Sequence, residues 1–404
     1  MKARATLMEE FQRLIEKNAL DIAKLIVLEN GKNINEALAE VAKGNETVSY
    51  ACSLPSIAQG KTLQVSTDVY CTDKREPLGI VSSIVPFNFP FMVPMWTIPI
   101  ALVLGNCIIL KPSEKVPVTM NYIAQLFKDA GFPSGVFQII NGTADVAKKL
   151  LMHPQISAIS FVGSSPVAKS IYTSCTSIQK RVLALGGAKN HLIALNDCHV
   201  PSTASDIVVS FAGCTGQRCM AASVLLLVQP KNNELLDLII QKASQINPGQ
   251  SAGEMGPLID YTSYQKVCKY IKQSEQLGSK ILLDGRTWSS QHNIPGNKRN
   301  WIGPTIILHQ IPNAPAMTDE IFGPVLSVYV CSSWEEAIVI QNSSPFGNAA
   351  SIYTTVGAHA DYFVKHLKGA MLGVNIGIPV PREPFSFGGL YGTVSKYGDF
   401  DITG

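Results

Sequence analysis

The sequence predicts an α/β chain: a doubly wound parallel sheet, a second mixed α/β region and a small extended arm. Three observations carry this prediction. Short β-branched runs alternate with helical stretches from Gly79 to Gly187, a second set of strand-like and helix-like runs continues to about Phe385, and apolar and polar residues alternate between Gly60 and Glu76. A chain of 404 residues needs two or three cores. Its 46% hydrophobic and 16% charged residues supply material for them and leave little for long disordered stretches.

From Met1 to about Glu40, Leu7, Phe11, Leu14, Ile15, Ile22, Leu25 and Ile26 recur at helical spacing, which predicts amphipathic helices broken at Gly31. The alternation of Leu63, Val65, Val69 and Cys71 predicts an extended ribbon. The run FMVPMWTIPIALVLGNCIIL at 91–110 is uncharged and long enough to cross a bilayer. Pro94, Pro99 and the Gly105-Asn106 pair interrupt it, so it reads as a buried helix, a turn and a buried strand. GIVSSIV, CIIL, VFQII, ISAISFV and RVLAL predict five buried strands, parallel because helical stretches separate them. In the second region ASVLLLV, KILL, PTIIL and LSVYV read as strands, and NELLDLIIQKAS and YQKVCKYIKQSEQLG as helices.

Several function classes lose support at this level. Lys and Arg number 33 against 30 Asp and Glu, with no basic block, so nucleic-acid binding has no electrostatic basis. Nine scattered cysteines without a C-x-x-C pair argue against a disulfide framework or a zinc knuckle and point to a reducing compartment. The first residues, MKARATLMEEFQRL, carry no readable targeting signal. Neither G-x-G-x-x-G nor a P-loop is present, so nucleotide binding cannot be argued from those fingerprints.

Six short segments carry more information. VPFNFP at 85–90, LKPSE at 110–114, FVGSSPV at 161–167, LGGAKNH at 185–191, GQRCMA at 216–221 and EIFGPV at 320–325 together resemble the aldehyde dehydrogenase superfamily, in its order and close to its spacings. GAKNH, CMAAS and MLGVNIGIPVP resemble its CoA-acylating, methylmalonate-semialdehyde branch. The resemblance implies an NAD-binding domain at 1–57 and 78–188, a catalytic domain at 189–386, and an oligomerisation arm at 58–77 and 387–404, incomplete at its C-terminus. It implies NAD as cofactor, coenzyme A as co-substrate, a small aldehyde as substrate, and a homotetramer or dimer without nucleic acid or membrane. The compartment implied is the cytoplasm of a bacterium or the mitochondrial matrix of a eukaryote.

The resemblance makes Cys219 the nucleophile. A thiol must ionise to attack, and Arg218, with a helix N-terminus after Gly216, is expected to lower its pKa. Asn88 matches the family's oxyanion-binding amide, acting with the Cys219 N–H. Arg218 is expected to pair with a substrate carboxylate as well. Phe87 falls among the cofactor contacts; Lys111 and Glu114 match residues on the adenosine ribose, Gly163 and Ser164 those near the diphosphate at a helix start, and Glu320 and Phe322 those on the nicotinamide side.

Two departures matter. Ala184 stands where hydrolytic members carry a glutamate that activates water; the acylating branch lacks it too, so its absence fits transfer to CoA. Lys43 stands near a position where branch members have a second Arg, and a lysine gives no bidentate grip on a carboxylate. The rival readings are an aldehyde dehydrogenase of another substrate or of hydrolytic type, and a catalytically silent homologue.

Overall fold

The computed structural model describes residues 1–404 except 232, 293, 295–297, 386 and 399–404. Three helices open the chain: α1 (Lys2–Lys17), α2 (Ala19–Asn30) and α3 (Ile34–Ile57). Gly31, at φ +95°, ends α2 in the left-handed conformation that only glycine adopts freely. Asn33 and Glu36 then form a reciprocal capping box that starts α3. This helix runs well past Glu40, where the sequence pattern fades. Its inner face continues through Gly44, Thr47, Val48, Ala51 and Leu54. At Gly44 an added Cβ would lie 2.6 Å from the Phe91 ring, so the missing side chain is what lets the helix press against residues 91–92.

The ribbon is a two-stranded antiparallel hairpin, β1 (Lys61–Ser66) and β2 (Val69–Asp73), exposed along its whole length. Five parallel strands follow: β3 (Ile80–Ile84), β4 (Cys107–Lys111), β5 (Phe137–Ile139), β6 (Ile156–Val162) and β7 (Arg181–Leu185). Their spatial order is β5-β4-β3-β6-β7, with helices in the crossovers. The chain therefore builds outward from β3 on one side, then returns to build on the other. In such sheets the crevice beyond the carboxyl ends of the two strands at the reversal, here β3 and β6, is where ligands bind.

The apolar run at 91–110 folds as two short helices (Met92–Met95 and Ile98–Val103), a turn at Gly105 and strand β4. Among the described residues no helix is long and apolar enough to cross a membrane.

The second sheet contains β8 (Asn190–Ala194), β9 (Ala222–Val228), β10 (Lys280–Leu283), β11 (Thr305–Leu308), β12 (Val325–Cys331), β13 (Ala349–Tyr353) and β14 (Met371–Val374). Their order is β10-β11-β12-β9-β8-β13-β14, parallel except for β10. The last strand, β15 (Lys396–Tyr397), pairs antiparallel with β7 through Tyr397 and Ala184. The sequence groups 387–404 with the ribbon at 58–77; within that run residues 396–397 pair with β7, and residues 399–404 lie outside the described residues.

Candidate active site

Gly187 precedes β8, Cys219 precedes β9, and Glu320 and Phe322 precede β12. The amino ends of the second sheet thus face the carboxyl ends of β3, β6 and β7. Between them lies a cavity of about 230 Å³. Phe87, Asn88, Gly163, Ser164, Cys219, Glu320 and Phe322 all line it. Residues distant in sequence meet here because the switch-point loops of one sheet are closed by the strand-entry loops of the other.

The details differ from expectation at the nucleophile. No helix begins after Gly216. Cys214, Thr215 and Gly216 all have positive φ and form a tight turn, and the chain then runs through 217–221 into β9. The dipole of a helix start is therefore not available to Cys219. Burial pushes its thiol up to about 12, and the Glu320 carboxylate pushes the same way. The N–H groups of Cys219 and Met220 oppose this, as does Arg218. Arg218 is itself engaged: Nε donates to Cys214 Sγ at 3.2 Å, and Nη2 lies 3.4 Å from Glu36 Oε1. That carboxylate oxygen also accepts the Cys214 N–H at 2.6 Å. Adjacency in sequence suggested a guanidinium acting on the sulfur, whereas much of its charge is directed to Glu36.

Asn88 is buried, and its Nδ2 donates to the Gln217 carbonyl at 3.0 Å, which leaves the amide one further N–H. Its loop is held by groups that sequence reading did not single out. Asn30 Nδ2 donates to the Phe87 carbonyl (2.9 Å) and Lys32 Nζ to the Asn88 carbonyl (2.9 Å). Lys32 Nζ also lies 2.5 Å from Glu40 Oε2, with both side chains at most 1% exposed. The other oxygen of Glu40 accepts the N–H groups of Phe91 and Met92 at 2.8 and 3.1 Å. This buried pair is a brace for the loop. Lys32→Met should lower stability by ~3–5 kcal/mol, because it strands a buried carboxylate; chemical unfolding of both proteins measures it.

Glu320 is half-buried, and its desolvation raises its carboxyl pKa against the Ala188 N–H, which donates to Oε1 at 3.0 Å. A side chain at Gly187 would collide with this carboxylate, so Glu320 can hold this position because Gly187 carries none. Phe322, at φ +60°, stands edge-on to Phe87 with ring centres 5.9 Å apart. Lys111 and Glu114 do not line the cavity. They form a 3.4 Å ion pair at the carboxyl end of β4, where Lys111 lies opposite Ile84 of β3.

Cys219 also lines a second cavity, of about 290 Å³, on the other side. Its walls are mostly apolar, among them Phe89, Met92, Trp96, Ile378 and Phe387, and its cations are Arg218 and Lys43. Lys43 is held by Glu46 at 2.6 Å, and Glu46 in turn pairs with Arg382 at 3.2 Å. Ala184 reaches neither cavity. It is fully buried within β7 of the first sheet, beside Phe161 of β6.

A family model described as "Aldehyde dehydrogenase family" matches residues 1–401. The chain belongs to the aldehyde dehydrogenase family. Among aldehyde dehydrogenase relatives, the malonate-semialdehyde dehydrogenase of Bacillus velezensis is 39% identical over 403 residues, covering 98% of this chain and 82% of the relative. Malonate-semialdehyde dehydrogenase 2 of Bacillus thuringiensis is 40% identical over 405 residues, covering 99% and 82%. In structure the chain is similar to the methylmalonate-semialdehyde dehydrogenase of Oceanimonas doudoroffii, with TM-score 0.94, 37% identity, and coverage of 99% and 82%. It is also similar to a Sinorhizobium meliloti protein titled as a methylmalonate-semialdehyde dehydrogenase complexed with NAD, with TM-score 0.95, 32% identity and the same coverage. Five of the six aldehyde dehydrogenase segments quoted above converge on the cavity between the sheets, and the sixth, LKPSE, does not line it.

Proposed function

We propose that this chain oxidises malonate or methylmalonate semialdehyde to acetyl-CoA or propionyl-CoA, with NAD as oxidant and loss of carbon dioxide, through a thioester on Cys219. The observation that carries this reading is the place of Cys219 between two cavities, one walled by glycine-containing loops and the other apolar with Arg218 and Lys43. The names of the relatives support the substrate class.

The first cavity fits a dinucleotide. Gly163 and Ser164 lead into the helix Ser165–Thr176, whose first main-chain N–H groups have no partner within the helix, while the Gly163 N–H donates to the Leu185 carbonyl at 3.0 Å. The close approach of Glu320 to Gly187 leaves room for no side chain there. Phe87, Glu320 and Phe322 would hold the nicotinamide end, and Lys111 and Glu114 the adenosine ribose. When bound, NAD would supply the hydride acceptor for conversion of the Cys219 adduct to a thioester.

Cys219 Sγ, once ionised, attacks the aldehyde carbon, and the free N–H of Asn88 together with the Cys219 N–H receives the oxyanion. In the acyl product the substrate carboxylate is β to the thioester carbonyl. The breaking C–C bond leaves its electron pair on that carbonyl, carbon dioxide departs, and the α-carbon takes a proton from water. The sulfur of CoA then attacks the thioester, its bond to the acyl carbon replaces that of Sγ, and the CoA proton passes to Cys219. Ala184 supplies no base for water, and Glu320 is the only carboxylate among the residues lining the first cavity.

Mass spectrometry of the product tests this: acyl-CoA is expected, and a free acid formed at an undiminished rate without CoA would replace this reading with a hydrolytic one. The ribbon Lys61–Asp73, with Leu63, Val65, Val69 and Tyr70 exposed, serves in the same reading as an oligomerisation arm.

Arg218 faces the carboxylate of the acidic substrate. Arg218→Leu should raise KM for malonate semialdehyde by about tenfold or more, while that for propanal changes little, since a charge-assisted contact contributes ~1.5–3 kcal/mol. Sharing with Glu36 places the expected effect at the lower end of that range. Equal losses for both aldehydes would restrict Arg218 to holding Cys214 and Glu36.

A further inference from the structure

The carbonyl of Cys219 is gripped from two sides. Asn190 Nδ2 donates to it at 2.7 Å and Asn348 Nδ2 at 3.2 Å. Both amides are buried. Asn190 opens β8 between β9 and β13, and its side chain ties the starts of all three strands: Nδ2 donates also to the Ala221 carbonyl (3.0 Å), and Oδ1 accepts the Ala349 N–H (3.2 Å). Asn348 Nδ2 also reaches Met220 Sδ at 3.1 Å. Two amide donors on one carbonyl, from segments 158 residues apart, are more than strand pairing requires.

The peptide that joins Cys219 to Met220 is planar and trans, so its C=O and N–H point in opposite directions. Drawing the carbonyl toward Asn190 and Asn348 turns the Met220 N–H the other way. We propose that Asn190 and Asn348 are positioning residues that aim the 219–220 peptide, so that the Met220 N–H faces the Cys219 sulfur and favours its thiolate. The Met220 N–H does act on this sulfur in the direction required. The charged groups that reach the same sulfur are Glu320, which opposes ionisation, and Arg218, which favours it, and the clamp touches neither. The inference rests on Cys219 being the nucleophile.

The test is the rate at which iodoacetamide alkylates Cys219 in the full chain at one fixed pH below its pKa, followed peptide by peptide, with exposed Cys71 as internal reference. Rate there is proportional to thiolate fraction, so a rise of ~1 pKa unit slows it ~10-fold. Asn348→Leu, similar in size but without a donor, should slow Cys219 by about that much and leave Cys71 unchanged. A merely structural role predicts a looser site and faster alkylation. An unchanged or faster rate in Asn348→Leu overturns the clamp. Asn190→Leu attacks the same carbonyl from the other side and decides the matter if the first variant does not fold. Alkylation is read whether or not the chain turns over, so failure of the clamp is distinct from failure of the Cys219 assignment, which shows only in the activity of Cys219→Ala.

Discussion

Mixed with NAD and malonate semialdehyde but no CoA, the protein is expected to form about one NADH per active site and then stall. Acylation draws on Cys219, Asn88 and the first cavity, all of which are in place. Deacylation by water is another matter, because water attacks a thioester slowly unless a positioned base removes its proton, and such a base contributes ~10²- to 10⁴-fold. Ala184, buried in β7 beside Phe161, offers none. A CoA thiol, more nucleophilic and partly ionised near neutral pH, needs less help. Stopped-flow absorbance measures the burst, and adding CoA should restore turnover. Sustained turnover without CoA would mean that another group activates water, and Glu320 is the first to examine because its carboxylate lies in the cavity. Ala184→Glu should shift the balance partly toward hydrolysis.

Cys219→Ala should abolish NADH formation with every aldehyde, a loss of at least ~10⁴-fold if the thioester route is the only one, while NAD binds nearly as before. The separation is expected because Gly163, Ser164, Glu320 and Phe322 come from segments other than 214–221. Cofactor fluorescence titration and steady-state rates report the two properties independently. Residual oxidation above a trace would remove Cys219 from the chemistry. At neutral pH the wild-type thiol, pushed up to about 12, is protonated in the protein alone, so its alkylation should quicken as pH rises toward that value.

The first sheet was legible because β3 to β7 are short runs rich in β-branched and other apolar residues, bounded by turns and separated by helical stretches. Three strands of the second sheet were not. β8 begins with Asn190 and His191, β13 reads Ala-Ala-Ser, and β14 contains Gly373, so composition masks strands that burial and pairing make obvious in three dimensions. At the site, the residues meeting in the first cavity lie in short local segments and could be picked out one at a time. The brace and the clamp could not. Lys32 acts on a loop 56 residues away, Glu36 on an arginine 182 residues away, and Asn348 on a carbonyl 129 residues away. Nor does the order of residues disclose that Arg218 is shared with Glu36, or that desolvation outweighs it at the sulfur.

The brace under residues 86–92 has a bearing on how this protein breathes. Loops that carry reactive groups usually open first, since their amides face water. Here the amides of Phe91 and Met92 end on a carboxylate buried in α3, itself matched by Lys32. Exposing them to deuterium requires α3 to lift away from the segment that Phe91 fills beside Gly44. The Asn88 loop should therefore exchange with solvent as slowly as the surrounding core, and warming should unlock it only together with α3.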